Sequence, residues 1–271
     1  MKANKIEHRG KMPVVVTAVV AIALLGVGGV VCYDKLKDLY LEQCVVTDMA
    51  AQVSITSGKM VKADVIAENL GLRKGANLAT IDFAEKRREL LAKVPNLKSI
   101  RISRQLPDKI TVVAEERTPV ARLGLRNAQD QSGRVVDTEG MTFVWQRGTQ
   151  TLPIIRESQA PGTPRGSCIQ GRTLAALRLV ETCREADFLE LGLLEVDTSK
   201  RDFLVATLGN YSKLKILWIG MDEAPTPESD ADLKKRLTQL RDSIRSKVVP
   251  NAVIWNATIP DRIFPDTQEK L

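Results

Sequence analysis

The sequence predicts an α+β protein. A single N-terminal transmembrane helix leads into a small β-α-α-β-β domain, which is followed by a mixed β-rich domain with two helices. Three observations carry this. Residues 13–33 hold no charged side chain. Residues 53–120 alternate strand-like and helix-like runs in a fixed order. From residue 121 onward, short extended runs outnumber the two helical ones.

The uncharged run has the core VVVTAVVAIALLGVGGVV, Val14 to Val31. At about 1.5 Å per residue it reaches roughly 30 Å, the thickness of a bilayer's hydrocarbon layer. Lys2, Lys5, Arg9 and Lys11 against Glu7 give 4 − 1 = +3 before it. Asp34, Lys35, Lys37, Asp38 and Glu42 give 2 − 3 = −1 after it. That asymmetry predicts a cytoplasmic N-terminus with the bulk of the chain outside. A cleaved signal peptide competes, but its apolar core is shorter and ends in a small-x-small site, which Cys32-Tyr33-Asp34-Lys35 does not offer. Gly26, Gly28 and Gly29 would allow close helix packing, or are incidental.

Composition narrows the function. The chain has 271 residues, 40 Lys+Arg, 33 Asp+Glu and a net charge of +7, of which the tail carries +3. The rest is too weakly and diffusely basic for a nucleic-acid footprint. The only His is His8, in the tail, so the folded part offers no Ser-His-Asp, Cys-His or His-zinc arrangement. The residues point to no enzyme, no metal, no cofactor and no small-molecule substrate.

The elements follow in order. Residues 34–52 read as a stalk. VSIT (Val53 to Thr56) alternates as a strand, and Lys62 to Gly71 is a short helix with Val65, Ile66 and Leu70 on one face. Asp82 caps a second helix whose stripe is Phe83, Leu90, Leu91 and Val94. LKSIRIS and KITVVAEE form a hairpin about Leu106-Pro107-Asp108, with Ile110, Val112 and Ala114 on one face. VARLGL is a strand, and Arg134–Asp137 and Met141–Trp145 flank a Thr138-Glu139-Gly140 turn. Gln159 to Gly171 is a Pro/Gly loop, and RTLAALRLVETCREA is a helix. LELGLLEVD, DFLVATLG and KLKILWIG are strands of an antiparallel run. Ser229 to Val248 is the second helix, and AVIWNATIPDRIFP closes the chain in extended form. The boundaries are 1–12 (tail), 13–33 (span), 34–52 (stalk), 53–120, 121–265 and a C-terminal tail 266–271.

Several ordered pieces carry a family resemblance: Gly75-x-Asn77-Leu78 before Ile81-Asp82, Val94-Pro95-Asn96-Leu97, Arg104-x-Leu106-Pro107, and Glu116-Arg117-x-Pro119-Val120-Ala121, with Val136-Asp137-x-x-Gly140 beyond them. Together the segment resembles the FtsQ/DivIB bacterial division proteins, and residues 53–120 resemble their POTRA domain. The resemblance covers about Val53 to Val144 and is architectural beyond that. It implies a non-enzymatic scaffold at the division site, held in the bacterial cytoplasmic (inner) membrane by a single span. It also implies partners of the FtsB and FtsL type, bound through the far end of the β domain, alongside other division proteins. The family's final strand reads like Asp-Leu-Arg-Tyr-Pro, whereas this chain has Asn256-Ala257-Thr258-Ile259-Pro260.

Within that implication Val253 to Phe264 is the expected partner-binding edge, since a terminal strand offers unpaired N–H and C=O groups. Its candidate contacts are Val253, Trp255, Ala257, Ile259, Arg262 and Phe264, with Arg201 as a charge for an acidic partner. The plain alternative keeps Trp255 and Ile259 in the core, with Pro260 blunting an unused edge. A different anchored POTRA protein, serving transport or a chaperone-like role, is the second functional reading.

Three other signals in the sequence have plainer readings. Ser212-Lys213-Leu214-Lys215 matches the Ser-x-x-Lys of penicillin-binding transpeptidases, but no Lys-Thr-Gly accompanies it and it precedes a strand. Glu115 and Glu116 are adjacent on a strand and cannot flank one bond, so Glu116 is expected to pair with a cation. Cys168 and Cys183 either form a disulfide or remain two thiols.

Overall fold

The computed structural model describes residues 32–105, 107–125, 133–146, 148–158, 162–246 and 252–266. The predicted span lies outside these residues except for Cys32 and Tyr33. Among the described residues no helix is long and apolar enough to cross a membrane. The chain divides into two units. Among the described residues the first comprises those up to 57, 62–90 and 100–114, and the second comprises 58–61, 91–99 and those from 115 onward.

In the first unit α1 spans 32–43. Part of the expected stalk belongs to the unit instead. Cys44 and Val46 are fully buried, and Val45 bridges Asn77. The Val46 N–H donates to the Ala76 carbonyl at 2.8 Å, and the Leu78 N–H to the Cys44 carbonyl at 2.9 Å. A short α2 (Met49–Gln52), capped by the Asp48 carboxylate, runs directly into β1 (Val53–Thr56). The helices α3 (Ala63–Asn69) and α4 (Phe83–Lys93) follow, then β2 (Leu97–Gln105) and β3 (Lys109–Glu116). The sheet order is β1-β3-β2, with β1 parallel to β3. The three residues between β2 and β3 are too few for a crossover, so that pair is antiparallel.

The expected β-α-α-β-β order is the observed one. Asp82 caps α4 by accepting the N–H groups of Ala84 and Glu85 at 2.9 and 3.1 Å. These bonds lower its pKa. The core takes Ile66, Leu70, Phe83, Leu90, Ile100, Ile110, Val112 and Ala114. Val65, expected on the inner face of α3, is exposed.

The second unit carries a nine-stranded sheet in the order β12-β11-β10-β9-β8-β7-β4-β5-β6. Its strands are β4 (Ala121–Leu125), β5 (Arg134–Val136), β6 (Thr142–Val144) and β7 (Ile154–Glu157). Then come β8 (Glu195–Asp197), β9 (Leu204–Thr207), β10 (Lys213–Ile216), β11 (Ile254–Ala257) and β12 (Phe264–Pro265). The helices are α5 (Gly171–Cys183) and α6 (Pro227–Arg245).

The expected antiparallel run holds for β8–β9–β10, but it does not extend across the whole sheet. β4–β7, β7–β8 and β10–β11 are parallel: α5 and α6 lie in the crossovers of the last two pairs, and the β5–β6 hairpin lies in the connection from β4 to β7. The strand expected at Leu189 to Asp197 is a 3-10 helix, Ala186–Leu191, ended by Gly192 at φ 58°, with only Glu195–Asp197 extended. Seven of the thirteen residues of α5 are buried, and its Leu177, Leu179 and Val180 meet Leu204, Leu214, Leu237 and Trp255 in one apolar cluster.

Candidate functional site

The C-terminal strands form one edge of the second sheet. β11 is an interior strand, with β10 parallel on one side and β12 antiparallel on the other. β12 ends the strand order. The edge is therefore shorter than expected, and Pro265 brings no N–H to it.

The candidate residues separate. Trp255 is 4% and Ala257 1% exposed, and both belong to the apolar cluster. Their expected role as contacts open to a partner is corrected: an interior strand has no free flank and its large side chains pack inward. Ile259, 45% exposed, and Arg262 lie in the turn between β11 and β12, and Phe264 is exposed on β12. The register Leu204–Ile216–Ala257 puts Arg201, just before β9, at the same end of the sheet as Ile259. Arg201 is exposed. Val253 is exposed too, but it sits at the opposite end, beside Lys213. The structure thus brings together Ile259, Arg262, Phe264 and the end carrying Arg201, and leaves Val253 apart.

Two basic side chains missed in the sequence hold this edge. Arg236, 4% exposed, projects from the apolar face of α6. Its Nη1 donates to the carbonyls of Ala257 at 2.8 Å and Ile259 at 3.1 Å, and its Nε to Asp232 Oδ2 at 3.0 Å. The available signal was a cation between Leu233 and Leu237, where the helical period calls for an apolar residue. Lys215, 3% exposed, donates from Nζ to Asp266 Oδ2 at 3.0 Å, joining β10 to the residue after β12. In the turn, a hydrogen bond from Lys235, 2.5 Å away, lowers the pKa of Asp261, which adopts φ 58°.

The motif residues have architectural partners. Among the described residues Glu116 pairs with no cation. Its carboxylate accepts the N–H groups of Lys59, Met60 and Val61 at 3.0, 2.8 and 2.7 Å. A Cβ on Gly58 would lie 2.2 Å from that carboxyl group, so only glycine leaves room for it. Arg117 Nη1 meets Asp137 Oδ2 at 2.5 Å and Glu139 Oε2 at 2.9 Å. Asp137 Oδ1 accepts the N–H of Glu139 and Met141, closing the β5–β6 turn in which Gly140 takes φ 78°. Hydrogen bonds from Arg117 and Lys98 lower the pKa of Glu139.

None of these arrangements activates a nucleophile. The Ser212 hydroxyl donates to Asn210 Oδ1 at 2.7 Å, while Lys215 is engaged with Asp266. The four cysteines are free, with Cys168 exposed and Cys183 buried. Burial pushes the Cys183 thiol up to about 12, so it carries almost no thiolate near neutrality. Among the described residues no group of three or more His, Cys, Asp or Glu could hold a metal ion.

No curated protein matches the chain. Residues 50–117, about a quarter of its length, match the family model of the POTRA domain, FtsQ-type; this segment contains β1, α3, α4, β2 and β3, and the match is consistent with the FtsQ/DivIB family, whose POTRA domain is a non-enzymatic interaction module.

Proposed function

We propose that this chain is a membrane-anchored scaffold of the bacterial division machinery, held by residues 13–33 with its bulk on the outer side of the cytoplasmic membrane. The FtsQ-type match over residues 50–117 is the observation that carries the reading. In this reading the protein makes and breaks no bonds. It binds small coiled-coil membrane proteins of the FtsB and FtsL type through the β12 edge and the β11–β12 turn.

The geometry supports that choice of surface in two ways. β12 closes the strand order, so its outer flank is available to an added strand. Ile259 and Phe264 stand exposed beside Arg262, a combination of apolar anchors and charge that suits interface energetics. Arg201 lies at the same end of the sheet and would serve an acidic partner group. Val253 would contribute only to a partner reaching the far end of β11, while Trp255 and Ala257 would act from beneath by fixing the strand.

A fluorescent fusion of the full chain should gather at midcell, and depletion should yield filaments. Ile259→Asp changes an exposed side chain, so the domain should fold with its stability within about 0.5 kcal/mol of wild type. Recovery of the partners in a pull-down should fall by roughly ten-fold or more. Undiminished recovery with Ile259→Asp would remove the edge from the proposal, and a fusion spread evenly around the cell would remove the division role.

A further inference from the structure

The described part of α1 shows an apolar stripe. Tyr33, Leu36, Leu39 and Tyr40 are 68%, 67%, 56% and 45% exposed. Tyr33, Leu36, Tyr40 and Gln43 fall at the a, d, a and d positions of a heptad, with Cys32 and Leu39 beside them at g. The C-terminal end of α1 is tied to its own unit by other groups. Asn77 Nδ2 donates to the Leu41 carbonyl at 2.9 Å, and Cys44 and Val46 are buried just beyond. Among the described residues the stripe stands exposed.

We propose that α1 of a second copy of this chain covers the stripe, parallel and in register. The proposal rests on the membrane anchoring put forward above. Anchoring at residues 13–33 sets Tyr33 of every copy at the same depth, so Leu36 meets Leu36 and Tyr40 meets Tyr40 without a search for register. The charges permit it. No charged residue occupies an a, d or g position, and Lys37, at e, faces the uncharged g flank of the other copy. A lipid surface is the poorer occupant. Interfacial helices carry Lys and Arg on their polar face, whereas Asp34, Lys35, Lys37, Asp38 and Glu42 give 2 − 3 = −1 here.

The test uses the full chain in native membranes, with the exposed Cys32 and Cys168 replaced by serine. Single cysteines are then placed on the stripe (Leu36→Cys, Tyr40→Cys) and on the opposite face (Lys35→Cys, Asp38→Cys). Copper(II) phenanthroline is the oxidant: two complexes each take up one electron as two thiols lose their protons and join. Disulfide dimer should form at the stripe positions in roughly ten-fold higher yield than on the opposite face. Adding Leu36→Asp should abolish the dimer of Tyr40→Cys. Equal yields at all four positions, no dimer at any, or cross-links to another protein alone would overturn the proposal while the chain resists carbonate extraction. A chain that carbonate strips from the membrane overturns both this proposal and the anchoring beneath it.

Discussion

The helices of the two units work differently. In the first unit α3 buries one of its residues and α4 two, so each helix contributes little apolar area. In the second unit α5 buries seven residues, and α6 joins it in the same cluster. At about 25 cal/mol per Å² of apolar surface, α5 is secured by burial along most of its length. The first unit's helices lean more on their ends, where Asp82 accepts two N–H groups and Gly71 adopts φ 73°. Apolar burial in the second unit is extensive enough to carry buried cations such as Arg236, whose removal is correspondingly expensive. The size of a unit's core thus sets which class of residue its stability depends on.

That contrast can be broken by mutation. Arg236→Ala should cost most, about 3 kcal/mol, because it removes the buried guanidinium shared by the Ala257 and Ile259 carbonyls and Asp232, leaving the two carbonyls only the longer N–H contacts of Leu217 and Arg262 at 3.5 and 3.4 Å. Urea unfolding would read the loss, and amide exchange should rise first in β11. A loss below about 1 kcal/mol would mean that apolar packing alone holds the edge. Glu116→Ala should cost about 2 kcal/mol by releasing three N–H groups at once. Gly58→Ala should act through the same contact, so the double variant should lose no more than Glu116→Ala alone. An additive double variant would separate the two residues.

The smallest effect belongs to Asp82. Its pKa is lowered in the folded state by the N–H groups it accepts, so its contribution is present above the unfolded pKa and is lost as pH falls through the folded one. Asp82→Asn keeps a capping oxygen but removes that titration. Wild type should exceed the variant in stability near neutrality, and the gap should close in acid below the ordinary value of 3.8. A gap unchanged across that range would show that the ionised form does not matter.

Alternation and caps made the first unit legible. Ile110, Val112 and Ala114 alternate cleanly, and Asp82 stands where a cap belongs. The second unit was only partly legible. β7 went unread because four residues between a Pro and a Ser carry no period, and its partners β4 and β8 are both parallel and distant in sequence. Leu189 and Leu191 imitated a strand, yet the buried pair is Phe188 and Leu191, the three-residue spacing of a 3-10 turn. At the site, Ile259 and Phe264 are exposed while Trp255 and Ala257 are buried, a division the sequence hides because it does not show that β12 folds back and makes β11 interior. The Arg236 staple shows in the sequence only as a cation at an apolar position of α6, because two of its acceptors are backbone carbonyls.

The parallel pairing of β10 with β11 has a temporal consequence. β11 cannot find its place until α6 has been made and has packed, and β12 must then wait for β11. The outer flank is therefore the last piece of the sheet to exist during synthesis. Any neighbour that reads this flank meets only molecules whose sheet is complete, and chains stalled before β12 present nothing for it to hold.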